Sequence, residues 1–401
     1  MIRDRSLAAL FSAELISRLG SQLSNLALPW FVLVTTHSAT KMGFVFGAEL
    51  IPFVLFGIQA GAVVDRLGPR VTMMVSDLAR APIIALVPFL NEVGGLSYGI
   101  ILGVAFLHGL FSTAYFTCQR VAIPSIVGTD EQRVARANSL IEGATNFTNF
   151  AGPGLAGILI SLIGAATVMW LDAASYLVSF VLVALFVTVV REVHDRSESG
   201  GLWAGLHYLV HDPLLGRVAF TPLIYGFVFP VLIASFPVIA YSEYDQNPRV
   251  AGWLLMAYGG GAVLGSFATY ILLVRFKPVP LSIAAVIGLS APMWLLVPHV
   301  PLAVMIVALG ITGFSNPLTN APFFGILSSR VPTALQPKVL QVIITSNQVA
   351  GPLGFAVAGF LFTTIGLQWS YAIAAALGTV AAINFVSAIL AHPPAVAQEA
   401  A

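Results

Sequence analysis

The chain has 401 residues, with 18 Lys plus Arg against 17 Asp plus Glu and a formal net charge of +1. Only 9% of residues are charged and 58% are hydrophobic, where ordinary soluble domains carry about a quarter charged residues; this excludes a soluble fold and, with no basic tract, a nucleic-acid binder. One cysteine, Cys118, excludes an internal disulfide and a thiolate metal cluster, and it is expected to pack as a small apolar residue.

A bilayer-spanning helix needs about 20 mainly apolar residues, because the hydrocarbon core is about 30 Å thick. Twelve stretches meet that length, at 7–36, 42–64, 71–90, 98–126, 137–163, 165–190, 217–240, 250–274, 280–297, 302–328, 338–363 and 367–391. The sequence therefore predicts an all-α integral membrane protein. The first stretch is too long for the apolar part of a signal peptide, carries Glu14 and Arg18, and ends without an A-x-A-like cleavage site, so a retained transmembrane helix is expected.

Basic residues divide the connections into two kinds. Fourteen of the 18 Lys and Arg fall in the N-terminus or in connections after even-numbered spans, with Arg120 at the inner end of span four counted among them; Lys41 and Arg249 alone follow odd-numbered spans. The positive-inside rule then places both termini in the cytoplasm of a multi-pass cell-membrane protein. Residues 191–216 break the apolar pattern: a polar stretch, Arg191 to Gly201, precedes Leu202 to Val210, which fits a short amphipathic helix on the inner surface. That segment divides the chain into a six-helix bundle at 1–190, a linker at 191–216, a second six-helix bundle at 217–391 and a cytoplasmic tail at 392–401. The halves are related. Ala151-Gly-Pro153 recurs as Ala350-Gly-Pro352, 199 residues on, and Pro29 recurs as Pro230, 201 residues on, as a parallel repeat requires.

Charge inside hydrocarbon costs several kcal/mol unless it is paired or hydrated, so each ionisable residue within a span is a candidate for function. Glu14 and Arg18 are four apart on one helix face and can pair, as can Asp77 and Arg80, three apart; each pair is either a structural brace or part of the transport path. Glu49 lies about two turns from the outer end of span two, with no basic residue within a helical turn. A carboxyl so placed is the first candidate for proton coupling, the alternative being a carboxylate hydrated near the headgroups. Asp172, about seven residues into span six on the same side, is the second candidate, and Glu14 the third. Glu142, near the inner end of span five, is positioned to face Arg120.

Between spans two and three, Gly61-Ala-Val-Val-Asp65-Arg66-Leu-Gly68-Pro69-Arg70 combines small, acidic and basic residues at one turn. Gly61 is expected to admit a neighbouring helix, Asp65 to face a positive helix N-terminus, and Arg66 and Arg70 to bridge to carboxylates. Such a cluster holds the inner side closed. In span five, Gly143, Gly152, Pro153, Gly154 and Gly157 thin and interrupt the helix, which suits tight packing or a pivot, and Gly351 with Pro352 repeats this in span eleven. After Asp245 no acid occurs until Glu399. The second half instead offers Asn316, Asn320, Gln341, Asn347, Gln348, Trp253, Trp294 and Tyr258, and with Gln22, Asn25 and Asn146 of the first half these are the candidates to line a cavity for a bulky, mainly apolar ligand. His207 and His211 have metal-binding spacing, but no third ligand accompanies them, and a polar helix face is expected.

The stretch from Gly61 to Arg70 resembles motif A of the major facilitator superfamily (G-x-L-x-D-R-x-G-R-[KR]), with Val63 for the usual Leu and Pro69 for a basic residue. The resemblance covers essentially the whole chain and implies the major facilitator fold: two pseudo-symmetric six-helix bundles. Leu26-Ala-Leu-Pro-Trp30, Ala48-Glu49-Leu50-Ile-Pro52, Ser76-Asp77-Leu-Ala-Arg80 and Arg136-Ala-Asn138 are similar to the macrolide- and enterobactin-exporter group. That group implies proton-coupled export of an amphipathic small molecule by alternating access. Span five resembles the antiporter motif of drug exporters, with Thr148 and Ala156 in place of two glycines, so an importer or a lipid flippase of the same fold stays open. A polytopic membrane enzyme is disfavoured, since no nucleophile, metal cluster or paired carboxylates gather at one face, and no G-x4-G-K-[ST] supports nucleotide-driven transport. Protons, a small-molecule substrate and the bilayer are the expected partners, with no cofactor, no resident metal and a monomeric chain.

Overall fold

The computed structural model describes residues 5–127, 131–187, 202–332 and 335–391. Within them the chain is helical, because hydrocarbon offers no partner to a backbone N–H or C=O and a helix satisfies both internally. The first six helices are α1 (Arg5–Thr36), α2 (Ala39–Leu67), α3 (Pro69–Glu92), α4 (Tyr98–Val127), α5 (Glu131–Ile163) and α6 (Ala165–Phe186). A short α7 (Leu202–His211) precedes α8 (Pro213–Ser242), α9 (Pro248–Arg275), α10 (Pro278–Ser290), α11 (Leu302–Arg330), α12 (Gln336–Thr364) and α13 (Gly366–Ala391). Among the described residues, eleven helices are long and apolar enough to cross a membrane. The twelfth, α1, is 32 residues long and is set apart by its polar side chains.

Two spans differ from the sequence expectation. Span six ends as a helix at Phe186, with Val187 already extended. Span nine is not α-helical throughout: α10 stops at Ser290 and continues as a 3-10 segment, Ala291–Leu296, where Pro292 cannot donate to the ladder. The amphipathic helix of the linker is present as α7. Asp212 caps the next helix, its Oδ1 accepting from the amides of Leu214 and Leu215 at 2.9 Å, and its Oδ2 meets Arg330 at 3.2 Å. Arg191 to Gly201 and the tail at 392–401 lie outside the described residues.

The chain divides into two compact units, one of residues 1–196 with 237–253 and one of residues 197–236 with 254–401. In the first, α1 packs on α5 and α6, α2 on α4, and α3 on α4 and α6. The second repeats this frame: α10 packs on α11 and α13, α9 on α11 at Gly261 and Gly310, and α8 on α12 at Gly226 and Ala350. The repeat reaches backbone detail, since Gly164 just before α6 and Gly366 at the first position of α13 both have φ of +81°. Arginines gather at the end of each unit that holds Gly68 and Val187, or the starts of α8, α10 and α12, called the basic end below.

The turn between α2 and α3 corrects one expectation. A Cβ on Gly61 would meet nothing within 4 Å, so among the described residues of this unit no helix is seated against it. Gly68 is the constrained glycine: at φ +80° and ψ 153° it caps α2 and leads into Pro69 at the first position of α3. Arg70 reaches a carbonyl rather than a carboxylate, Nη2 donating to Ala184 O at 2.6 Å on α6. Gly68→Ala is therefore expected to cost about 1–3 kcal/mol, since that backbone region belongs to glycine, and to lower the melting temperature in detergent. Gly61→Ala should leave it unchanged or raise it; equal losses for the two would refute this assignment of roles.

Candidate functional site

The first unit buries a chain of polar side chains through its middle. Glu49 on α2 and His108 on α4 each lie ten residues from helix starts at Ala39 and Tyr98, about 15 Å in at 1.5 Å per residue. His108 Nδ1 is 3.0 Å from Glu49 Oε1, and its Nε2 is 2.8 Å from the Tyr176 hydroxyl on α6. Tyr176 meets Ser21 Oγ on α1 at 2.9 Å, and Ser21 donates to Ser17 O at 2.8 Å. Deeper towards the basic end, Arg80 pairs with Asp77, reaches Ser17 Oγ at 3.4 Å and is sandwiched between the rings of Tyr115 and Tyr176, 4.4 and 4.2 Å from their centroids. Ser179 donates to the other oxygen of Asp77 at 2.7 Å. Glu14 and Arg18 form a second pair, Arg18 lying 4.5 Å over Phe116. His108, Asp77, Arg80, Tyr115 and Tyr176 are all 3% exposed or less.

Two glycines bring these helices together. A Cβ on Gly109 would stand 1.9 Å from the carbonyl oxygen of Glu49, so α2 rests backbone to backbone on α4 and sets the carboxylate beside His108. A Cβ on Gly20 would stand 1.9 Å from Ser175 Oγ and 2.6 Å from Asp172 Oδ1, so α1 lies equally close to α6. Asp172 is fully buried, one turn from Tyr176; Ser175 donates to its Oδ1 at 3.3 Å, while Oδ2 has no partner among the described residues.

Hydrogen counting gives the chain two registers. A hydroxyl has one proton to donate, and a neutral imidazole has one donor and one acceptor nitrogen. If Ser21 donates to Ser17 O, Tyr176 donates to Ser21 and His108 Nε2–H donates to Tyr176. The Glu49–His108 contact then holds a further proton, on the carboxyl or on a doubly protonated ring. If Tyr176 instead donates to His108, Ser21 turns its proton from Ser17 O to Tyr176, and Nδ1–H donates to an ionised Glu49. The two registers differ by one hydrogen in the count at the Glu49–His108 contact.

The structure revises the expectation for Glu49, which is not isolated: its base comes from α4, remote in sequence. Both anticipated pairs, Glu14–Arg18 and Asp77–Arg80, form. Asp65, Arg66 and Glu142 are exposed, and the side chain of Arg120 lies outside the described residues. In span five Gly152 and Gly157 are close-packed, whereas a Cβ on Gly143 would meet nothing within 4 Å. A Cβ on Gly152 would stand 2.6 Å from Gln22 Cβ, and one on Gly157 would stand 2.7 Å from Pro248 O and 3.2 Å from Gly252 Cα, with Pro153 inside the helix. In span eleven, Pro352 lies within α12, next to Gly351. The polar candidates form local clusters. Gln22 bonds Asn149 and accepts from Asn25 at 3.1 Å, with Asn146 exposed one turn away. Asn316 donates to the Tyr258 hydroxyl at 3.0 Å and accepts from Asn320 at 2.8 Å. Asn347 donates to Pro222 O at 2.8 Å, Trp253 is 38% exposed, and Trp294 bonds Thr379 on α13.

Two six-helix units built on one frame define a membrane transporter of the major facilitator fold. The crystal structure of the nucleoside transporter NupG superposes with a TM-score of 0.76 over 96% of this chain and 98% of its own, at 12% identity. The family model described as transmembrane secretion effector matches residues 2–400, and the chain belongs to that family of the major facilitator superfamily, whose members are transporters and not enzymes. Among its relatives, the multidrug efflux pump Tap of Mycolicibacterium fortuitum is 29% identical over 380 residues, covering 92% of each chain. Tap of Mycobacterium tuberculosis is 27% identical over 370 residues, covering 90% of this chain and 87% of its own.

The Asp77–Arg80 pair allows a direct test of what the network does for stability. Arg80→Met leaves a carboxylate buried without its cation and is expected to cost about 3–5 kcal/mol, whereas exchanging both partners for apolar side chains should restore most of it. Thermal unfolding of Arg80→Met and of Arg80→Met with Asp77→Leu decides the matter. A double variant as unstable as the single one would mean that the pair is not the source of the loss.

Proposed function

We propose that the protein exports an amphipathic small molecule by alternating access, driven by protons that load at Glu49 and His108. The observation that supports this best is the continuous contact chain from Glu49 through His108 and Tyr176 to Ser21, whose registers differ by one proton. Tyr176 also lies against Arg80, so a change at His108 reaches the Asp77–Arg80 pair nearer the basic end through one side chain. Asp172, buried beside this chain, is the second acid, and Glu14 with Arg18 braces its basic end. Export is the direction because relatives covering nearly the whole chain are named multidrug efflux pumps. Gln22, Asn25 and Asn146, with Asn316, Asn320, Asn347 and Trp253, supply hydrogen-bonding groups for an otherwise apolar substrate.

In this reading the basic end faces the cytoplasm with both termini, the chain works as a monomer, and residues 61–70 with Arg120 and Glu142 form the inner gate. Gly152, Pro153 and Gly157, with Gly351 and Pro352, are the packing points about which helices pivot. Proteoliposomes with an imposed pH gradient and a fluorescent efflux substrate provide the test. Glu49→Gln and His108→Gln are each expected to lower gradient-driven efflux by about 5–150-fold, as the loss of a coupling free energy of ~1–3 kcal/mol would. Substrate exchange without a gradient should persist. Full gradient-driven rates in both variants would remove the relay from the mechanism.

A further inference from the structure

The second unit carries a groove of about 460 Å³ between α13 and the segment formed by α10 and the 3-10 turn. Its walls are apolar, with Ile287, Trp294, Ala382, Ile383 and Leu390, and they face outward: Ile383 is 63% and Leu390 68% exposed. On a membrane protein such a surface meets acyl chains. The two ends of the groove differ. At one, the Trp294 indole donates to Thr379 Oγ1 at 2.9 Å and closes the wall. At the other, Ser387 lines the groove and accepts from Arg217 Nη2 at 2.7 Å. Asn384 donates to Arg217 O at 2.7 Å and accepts from its Nε at 3.4 Å, so an exposed guanidinium is held in place at the mouth.

Length and charge identify the occupant. From Thr379 to Leu390 is eleven residues of α13, about 16 Å at 1.5 Å per residue, or one leaflet of a hydrocarbon core about 30 Å thick. Arg275 ends α9 and Lys277 precedes α10 at the same end, and the sequence holds no acid between Asp245 and Glu399. Asp212, at the start of α8, is already committed to Arg330 and two backbone amides. We propose that the groove seats an acyl chain of an anionic phospholipid whose phosphate rests on Arg217. A fixed arginine at a membrane surface favours an anionic headgroup over a zwitterionic one.

The full chain in nanodiscs containing phosphatidylglycerol or phosphatidylcholine with brominated acyl chains tests this through tryptophan quenching. Wild type should show a quenched component that Trp294→Phe removes, half-quenched at an about fivefold lower mole fraction of phosphatidylglycerol than of phosphatidylcholine. Arg217→Gln should abolish that preference while chain quenching persists, and Ala382→Phe, which fills the groove, should weaken quenching by both lipids. Equal half-quenching by the two lipids in wild type, or a preference that survives Arg217→Gln, overturns the proposal. So does the absence of any quenched component that Trp294→Phe removes.

Discussion

A charge in hydrocarbon is tolerated only where the protein itself supplies the countercharge, and the first unit is arranged around that requirement. Arg80 is the strictest case. Its guanidinium meets Asp77 and Ser17 in its plane and two tyrosine rings on its faces, so helices α1, α3, α4 and α6 all contribute to one cation. The same tyrosine that covers Arg80 bonds the histidine that meets Glu49. The pairing that stabilises Arg80 and the contacts that reach Glu49 thus share one side chain, Tyr176.

What allows so many polar groups to meet is backbone proximity. Side-chain hydrogen bonds are short, and helices separated by large residues would hold Glu49 and His108 too far apart. The second unit preserves that proximity with different chemistry. A Cβ on Gly313 would stand 2.0 Å from Tyr258 O, as one on Gly109 would stand 1.9 Å from Glu49 O. On this shared frame the first unit carries a carboxylate and an imidazole, and the second a phenol bonded to an amide. Duplication kept the spacing, which is a backbone property, and left the side chains free to diverge.

The fold is largely legible in the sequence, since a bilayer imposes helix length and the charge pattern of the connections marks each turn. The pairs Glu14–Arg18 and Asp77–Arg80 are equally readable, because spacing on a single helix is a local quantity. Glu49 stands out as an acid within a span, but its surroundings do not. Its partner lies 59 residues away on another helix, and no local pattern announces such a contact. His108 offers one signal, an ionisable ring within an apolar span, the criterion that singles out the carboxyl groups. Gly61 and Gly68 belong to one motif, yet only the dihedral angle shows which of them the turn requires.

The division of the chain into units has a bearing on biosynthesis. Residues 237–253 belong with the first unit although they are the far ends of α8 and α9, and Gly252 covers the small face of α5 at Gly157. A ribosome adding about 5–20 residues per second leaves that face bare for several seconds after the sixth helix has emerged. The amino-terminal half therefore has its α5 packing surface completed only by residues synthesised after the sixth helix, the far ends of α8 and α9.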